Sequence, residues 1–319
     1  MFFSRLAWLG MPTLLVCVFA SCGSGGSNPL ASLDTSPCQQ AVSSGASAVP
    51  TASHVFLVVE ENASYSSVIG NSAMPYLNSL ATSNGLATQY FADTHPSIGN
   101  YFMLTTGHTI TNDDAFNGVV SDDNIVRHII ASGKTWKSYA ESLPSVGYSG
   151  SDVFPYLKHH NPFAYFSDVV QSPQANNLVP FSQFGADLAN NQFPNFSFIA
   201  PNAQNDGHDC PDGSSNCGST QKLAAADAWL QSNLGPLVSS ASFQQDGLLL
   251  IVFDESDPVD LQHGCGHVAF VLVGPKVKKG HQSTVCSQHE NALRTMGQAL
   301  GLSSFPGNAA SVPDLSEFF

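Results

Sequence analysis

From residue 54 onward, largely apolar runs alternate with segments in which apolar residues recur every three to four positions. The largely apolar runs cover residues 55–59, 195–199, 248–253 and 268–273. Runs of this kind are typical of strands that are covered on both faces. The helical spacing occurs in residues 74–81, 122–131, 222–234 and 290–300. This alternation predicts an α/β fold in which helices cover both faces of one sheet, a three-layer α/β/α sandwich.

The first 22 residues have the layout of an export signal. Arg5 precedes an apolar stretch, residues 6–20, that is interrupted by glycine, proline and threonine and is therefore a poor membrane span. Residues 19–22 (FASC) resemble a bacterial lipobox, which predicts cleavage before Cys22, a lipid on that cysteine and an outer-membrane or periplasmic location. Plain secretion is the alternative. Residues 23–50 are rich in Ser, Ala, Gly and Pro and are interpreted as a flexible linker.

The overall composition limits the classes of partner. The chain has 319 residues and is 43% hydrophobic, so residues 51–319 have enough apolar side chains to form one large domain. Ten lysine and arginine residues stand against 24 acidic residues, giving a net charge of −14. Binding to a phosphate polymer needs clustered basic residues. We therefore expect no nucleic-acid partner.

Five cysteines follow the signal region. In an oxidising compartment, cysteines that are close in sequence tend to pair. We therefore expect disulfides between Cys210 and Cys217 and between Cys265 and Cys286, with Cys38 unpaired in the linker. A zinc ion held by cysteines is the alternative, but the chain has no paired C-x2-C spacing.

Polar residues come directly after three of the predicted strands. Glu61 and Asn62 follow the first strand, residues 202–209 follow the second, and Asp254 and Glu255 follow the third. In open α/β sheets the ligand crevice lies beyond the carboxyl ends of the strands. We therefore expect these three segments to meet at one site.

Adjacent carboxylates at such a site favour a divalent cation. Buried acids repel each other, and removing them from water costs several kcal/mol unless a cation is present. Glu61, Asn62, Asp254 and Glu255 carry oxygen atoms of the kind that Ca²⁺, Mg²⁺ or Mn²⁺ accept. Each pair considered alone is also compatible with a polar strand end open to solvent.

Ser97 is a candidate nucleophile. Pro96 ends the preceding segment and an apolar stretch follows, which places Ser97 at the start of a helix, where backbone N–H groups attract anions. A hydroxyl in that position that is also bound to a metal ion becomes a nucleophile near neutral pH. The alternative is that Ser97 only caps the helix. His159, His160 and His208 are candidates for holding phosphoryl oxygens and protonating a leaving group.

Eight short motifs, in this order, resemble those of the bacterial acid phosphatase and phospholipase C type phosphoesterase family, within the alkaline-phosphatase-like superfamily. They are residues 61–65 (ENASY), 95–101 (HPSIGNY), 106–107 (TG), 133–139 (GKTWKSY), 160–163 (HNPF), 194–199 (PNFSFI), 201–202 (PN) with 208–209 (HD), and 254–255 (DE). The resemblance covers nearly all of residues 54–319. It implies an alkaline-phosphatase-like α/β/α fold in a single phosphoesterase catalytic domain, residues 51–319.

The resemblance also assigns roles to individual residues. It implies that one divalent metal ion (Ca, Mg, Mn or Zn, which the sequence does not distinguish) is bound by Glu61, Asn62, Asp254, Glu255 and Ser97. Ser97 is then both nucleophile and metal-bound oxygen, and phosphate esters are hydrolysed through a covalent phosphoserine. Asn62 and the three candidate histidines would bind the phosphoryl group, with His160 and His208 as catalytic residues.

Two departures from the family pattern are visible. Gly99 replaces a common proline, and His95 is the only histidine between Asn62 and Ser97. The appended domains of phospholipase C members are missing, which favours small phosphomonoesters as substrates and hence an acid phosphatase. A phospholipase C-like phosphodiesterase and a non-catalytic surface lipoprotein on the same fold are the alternatives. Sulfatase and Ser-His-Asp hydrolase signatures are missing from the sequence.

Overall fold

The structure is a computed structural model that describes residues 34–38 and 47–319. The predicted export signal, Cys22 and most of the predicted linker lie outside the described residues. The strands are β1 His54–Glu60, β2 Gly85–Ala87, β3 Trp136–Ala140, β4 Leu178–Pro180, β5 Phe196–Ala200, β6 Gly247–Phe253, β7 Phe270–Val273 and β8 His281–Ser283. The α-helices are α1 Tyr65–Val68, α2 Pro75–Ser83, α3 Ser97–Thr106, α4 Ile125–Ala131, α5 Ser167–Val170, α6 Ser182–Asn190, α7 Ser219–Ser239, α8 Ala241–Asp246 and α9 His289–Ala299.

The eight strands form one sheet in the order β4-β3-β5-β1-β6-β7-β2-β8. The central strands β3, β5, β1 and β6 are parallel, whereas β7 is antiparallel to both of its neighbours. β1 lies between β5 and β6, with Val55 beside Phe196 on one side and beside Leu248 on the other. The carboxyl ends of these three strands therefore lie side by side at one edge.

The apolar runs are buried as the sequence predicts. Residues 55–59 of β1 and every residue of β6 are buried, because helices cover both faces of the sheet. On the helical side, α3 packs against α9, and α2 packs against α7. The fold is the expected three-layer α/β/α sandwich in a single domain, and all four predicted helices are present with ends shifted by a few residues. The described residues include no helix whose length and apolar composition would suit it to cross a bilayer.

The cysteine pairing is correct for one disulfide and wrong for the other. Cys210 pairs with Cys217 as expected, whereas Cys286 pairs with Cys38 and leaves Cys265 as a buried free thiol. The physical reason is that residues 34–38 lie on the domain rather than apart from it. His263 N donates to Asp34 O at 2.8 Å, and Cys38 N donates to the Gln288 side chain at 2.7 Å. The two disulfides fit an extracellular, oxidising location.

Candidate active site

The three polar segments that follow β1, β5 and β6 meet at the carboxyl edge of the sheet. The pairing of Glu60 with Phe253 places Glu61 beside Asp254, and Asn62 N donates to Asp254 Oδ1 at 3.1 Å. Glu61 N donates to Asp206 O at 2.8 Å, which joins the segment after β5 to the same place. The sequence-based expectation that these segments converge is met by these contacts.

Ser97 is the first residue of α3, and its hydroxyl points into this cluster. Ser97 Oγ donates to Glu61 Oε2 at 3.0 Å. The helix is capped by another residue, because Asp114 Oδ1 accepts the Ile98 N–H at 3.0 Å. The N-cap residue of α3 is Pro96, and the Ser97 hydroxyl donates to Glu61 instead. The simple helix-cap interpretation of Ser97 therefore does not describe its contacts.

Gly99 allows this arrangement. A Cβ atom at Gly99 would lie 2.4 Å from Asn112 Oδ1 and 2.4 Å from the Thr94 methyl group. Both distances are far below van der Waals contact, so the loop that carries Asn112 and Asp114 closes on the first turn of α3 only because residue 99 has no side chain. The departure from the family's proline therefore fits a tightly packed turn.

Glu61 is the central acceptor of the cluster. Its side chain is fully buried, and its Oε1 accepts a 2.5 Å hydrogen bond from the Tyr101 hydroxyl and lies 3.2 Å from His160 Nε2. The other ring nitrogen, His160 Nδ1, lies 3.4 Å from Asp206 Oδ2. The His160 ring stacks on Tyr101 with centroids 5.2 Å apart. One histidine is thus held between two buried carboxylates and an aromatic ring.

The buried acids of the cluster repel one another. Burial raises the pKa of Glu61 well above its usual range, and Asp254 raises it further. Burial and the neighbouring Glu255 do the same to the pKa of Asp254. Asp254 Oδ2 is buried without a hydrogen-bond partner, and among the described residues no lysine or arginine pairs with these acids. A divalent cation would relieve both the repulsion and the unsatisfied oxygen.

Two further residues with metal-ligating atoms, His95 and Cys265, lie beside Glu255. Its Oε2 lies 2.9 Å from His95 Nδ1 and accepts a weak 3.8 Å hydrogen bond from the Cys265 thiol. The ligand atoms of these three residues all lie within 4.8 Å of one another. Burial alone would lower the pKa of His95, but the hydrogen bond and charge of Glu255 outweigh it and raise that pKa. The site therefore has imidazole and thiol donors beside its oxygen donors.

The remaining candidate histidines occupy different positions. The His159 ring lies edge-on to His160 with centroids 4.4 Å apart, and burial lowers its pKa to about 4. The side chain of His208 is 48% exposed, its backbone N–H donates to Asp206 Oδ1 at 2.9 Å, and its ring lines a cavity together with Asn62. His160 therefore lies within the cluster, His159 lies behind it, and His208 lies at its mouth.

Sequence reasoning missed three residues that contact the cluster. Tyr101 was treated only as part of an apolar stretch, although its spacing of four from Ser97 places both on one face of α3. Asp206 was not singled out within its polar segment. His289 is fully buried, and its Nε2 lies 2.7 Å from Asp254 O while its Nδ1 lies 3.1 Å from the Tyr90 hydroxyl.

Comparisons with known proteins identify the class to which this fold and cluster belong. A chain from Vibrio parahaemolyticus in the alkaline phosphatase superfamily superposes with a TM-score of 0.55 at 14% identity, over 86% of this chain and 71% of that chain. At that identity the likeness concerns the fold alone. It agrees with the alkaline-phosphatase-like architecture expected from the motifs.

The sequence comparisons are more specific. The sequence model of the Phosphoesterase family matches residues 71–303, and the chain therefore belongs to that family, whose members are hydrolases acting on phosphate esters. A phosphatidylinositol-3-phosphatase from Mycobacterium tuberculosis is 34% identical over 277 residues, which are 86% of this chain and 85% of the relative. An acid phosphatase from Aspergillus fumigatus is 29% identical over 78% of this chain, which spans only 55% of that relative's length.

Proposed function

We propose that this protein is an exported, metal-dependent phosphomonoesterase of the acid phosphatase type, with Ser97 as its nucleophile. The observation that carries the proposal is the 3.0 Å hydrogen bond from Ser97 Oγ to Glu61 Oε2, at the N-terminus of α3 and inside a cluster of buried carboxylates. This arrangement combines a hydroxyl, a basic oxygen that accepts its proton, and the positive end of a helix.

The residues present fit a divalent metal ion. Glu61, Asn62, Ser97, Asp254 and Glu255 would hold it: Ser97 Oγ lies 3.0 Å from Glu61 Oε2, Asn62 N donates to Asp254 Oδ1, and Asp254 Oδ2 has no hydrogen-bond partner among the described residues. When bound, such an ion lowers the pKa of a hydroxyl and neutralises charge on phosphoryl oxygens. Among the described residues, no lysine or arginine pairs with these acids. A bound divalent cation would therefore supply their counter-charge.

The reaction then follows from the positions of the side chains. The Ser97 oxygen forms a bond to phosphorus while the bond to the ester oxygen breaks, and the ester oxygen leaves as an alkoxide that takes a proton. His208 is suited to supply that proton, because its half-exposed ring lines the cavity at the mouth of the cluster. Water then attacks the phosphoserine and releases phosphate, which regenerates the Ser97 hydroxyl.

His160 serves a different purpose in this scheme. Burial, together with the nearby His208, lowers its pKa to about 3. The ring therefore stays neutral and donates a single N–H, holding phosphoryl or carboxylate oxygens in place rather than carrying charge. His159 supports it from behind, and Asn62 would contribute its amide to phosphoryl binding.

The proposal has a direct test with two controls. Ser97→Ala should abolish hydrolysis of p-nitrophenyl phosphate while leaving the circular dichroism spectrum and melting temperature close to those of the wild type. Ser283→Ala, on β8 and far along the chain from the cluster, should keep activity. Full activity of Ser97→Ala would overturn the nucleophile assignment. Elemental analysis should find a bound divalent metal, and a metal-free protein with full activity would overturn the metal requirement.

The class of ester can be tested separately. Hydrolysis of p-nitrophenyl phosphate should exceed that of bis-p-nitrophenyl phosphate by at least about 100-fold, since the phosphomonoester brings a second charge for the cation site to bind. A preference for the diester would favour the phospholipase C-like alternative. Phosphatidylinositol 3-phosphate is a second candidate substrate, supported by the relative of that specificity that matches over 85% of its length.

The proposed export and lipid attachment concern residues 1–33, outside the described residues. The two disulfides support export, because such bonds persist in oxidising compartments. Cell fractionation of the wild type and Cys22→Ser would distinguish lipid attachment from plain secretion. A lipoprotein is found with membranes only when Cys22 is present, whereas a secreted protein fractionates identically in both.

A further inference from the structure

A polar cavity of about 240 Å³ opens beside the proposed catalytic cluster. It is lined by Asn62 and His208, by Lys222 and Ser219 on α7, and by Ser64. Lys222 also lines a neighbouring cavity of about 660 Å³ beside the loop that the Cys210–Cys217 disulfide closes. Because Asn62 and His208 belong to the proposed site, the leaving group of a substrate would occupy this cavity.

Lys222 is a basic residue without a side-chain partner among the described residues, and it lines a cavity beside the proposed site. In the part of the chain that the structure describes, its ammonium group has no hydrogen bond and no ion pair, although the residue is half-buried. By contrast, Lys137 and Lys276 each pair with an aspartate. Asp257 lines the same cavity but does not come within ion-pair distance of Lys222.

The chemistry of the cavity indicates what it would bind. A lysine ammonium group that has no ion-pair partner attracts an anion. Ser219 is the first residue of α7, so the positive end of a 21-residue helix adds to the same field. The serine hydroxyls and the Asp257 carboxylate suit hydroxyl groups rather than an acyl chain or an aromatic ring.

We propose that Lys222 is a specificity-determining residue that binds a second phosphate group on the substrate's leaving group. This inference rests on the proposed function, since it assumes that the first phosphate lies at Ser97. The substrate class would be a phosphomonoester of a polyhydroxylated ring that carries another phosphate. Such a ring occurs either as a free bisphosphate or as the head group of a phosphorylated inositol lipid, where the second phosphate is a diester.

The test compares substrates that differ only in the second phosphate. The ratio of kcat/KM for myo-inositol 1,3-bisphosphate to that for myo-inositol 3-phosphate is measured in the metal-loaded wild type, Lys222→Met and Lys222→Arg. A third substrate, short-chain phosphatidylinositol 3-phosphate, carries the diester form. We expect Lys222→Met to lower the ratio by about tenfold, the value of one hydrogen bond to a charged group. Lys222→Arg should retain most of it, because it keeps the charge.

A matched control is available on the opposite edge of the sheet. Lys134 is also half-buried with no side-chain partner among the described residues, but it precedes β3 and therefore lies away from the carboxyl ends of the strands. Lys134→Met should leave every ratio unchanged. The inference would be overturned if Lys222→Met lowered kcat/KM equally for all three substrates. It would also be overturned if kcat/KM did not fall for either substrate that carries a second phosphate. A Lys222 effect confined to the bisphosphate or to the lipid supports it and identifies the source of the phosphate.

Failure of the inference is distinguishable from failure of the proposed function. Binding of myo-inositol 1,3-bisphosphate to Ser97→Ala, with and without Lys222→Met, is measured by calorimetry without turnover. A Lys222-dependent kcat/KM ratio together with full activity of Ser97→Ala would contradict the proposed nucleophile alone. Loss of activity in Ser97→Ala with binding that ignores Lys222 would contradict the specificity role alone.

Discussion

Ser97 Oγ and Glu61 Oε2 are 3.0 Å apart, although the residues belong to a helix start and a strand end separated by 36 positions in the chain. The contact exists because Glu61 directly follows β1 at the carboxyl edge of the sheet. Helix α3 begins at the same edge, immediately after its N-cap residue Pro96. Tyr101, one turn further along α3, reaches the other oxygen of the same carboxylate. The Glu61 carboxylate therefore contacts both the proposed nucleophile and Tyr101.

The Tyr101 hydroxyl should matter for activity even though it is buried away from the cavity. Tyr101→Phe removes the hydrogen bond that orients Glu61, so we expect kcat and metal affinity to fall by about 10- to 100-fold, as when other supporting contacts to metal ligands are lost. Steady-state kinetics and metal titration measure this. Tyr165→Phe is the control, since the Tyr165 hydroxyl has no hydrogen bond to the cluster among the described residues. Equal behaviour of the two variants would contradict the role.

Asp206 should act through His160. Its carboxylate faces His160 Nδ1 at 3.4 Å and accepts the His208 backbone N–H at 2.9 Å. Asp206→Asn should lower kcat by about 10- to 100-fold and change the pH profile of kcat, because the ring loses the group that fixes its orientation. Asp212→Asn, at an exposed position whose carboxylate is hydrogen-bonded only to Ser214 among the described residues, should change neither. An unchanged pH profile in Asp206→Asn, with a lowered melting temperature, would indicate a purely structural role.

The stability of the fold should depend on pH through Asp187, far from the cluster. Burial alone would raise the pKa of Asp187, but hydrogen bonds from Lys137 and Tyr139 outweigh it and hold that pKa below its usual value. A carboxylate with a lowered folded-state pKa stabilises the fold above its unfolded pKa of about 3.9, and this stabilisation is lost as pH falls through the folded-state value.

Asp187→Asn should therefore lower the free energy of unfolding at pH 7 by about 1 to 3 kcal/mol. The difference from the wild type should narrow as the pH falls below about 4, because both chains are then uncharged at this position. Denaturant unfolding at several pH values measures it. Asp168→Asn, which removes a half-exposed pair with Arg127, should cost less than about 1 kcal/mol. A difference that stays constant down to pH 2 would contradict the linkage.

The disulfide pattern can be determined directly by peptide mapping. Non-reducing peptide mapping should recover one cross-link between Cys38 and Cys286 and another between Cys210 and Cys217, with Cys265 alkylated only after unfolding. Removing the longer link by Cys38→Ser should destabilise the fold by about 2 to 4 kcal/mol, since it closes most of the chain into a loop. A peptide that links Cys265 to Cys286 would instead restore the pairing expected from sequence proximity.

Much of the site could be predicted because it follows from strand register. Glu61 and Asp254 come directly after β1 and β6, which are parallel neighbours, so their approach is fixed once both strands are identified. Tyr101 was missed because an aromatic residue in an apolar stretch is normally interpreted as part of the hydrophobic core. Only the position of α3 in the fold shows that the Tyr101 hydroxyl donates to Glu61. The Cys38 pairing was missed because residues 34–38 have no periodic pattern that predicts where they lie on the domain.

Trapping the phosphorylated protein tests the central claim most directly. Wild-type enzyme is mixed with a phosphomonoester, quenched in acid within milliseconds and digested, and the modified residue is located by mass spectrometry. We expect a phosphate on Ser97 and on no other residue, and none in Ser97→Ala. A phosphate on another serine or on a threonine, or rapid turnover by Ser97→Ala, would contradict this assignment.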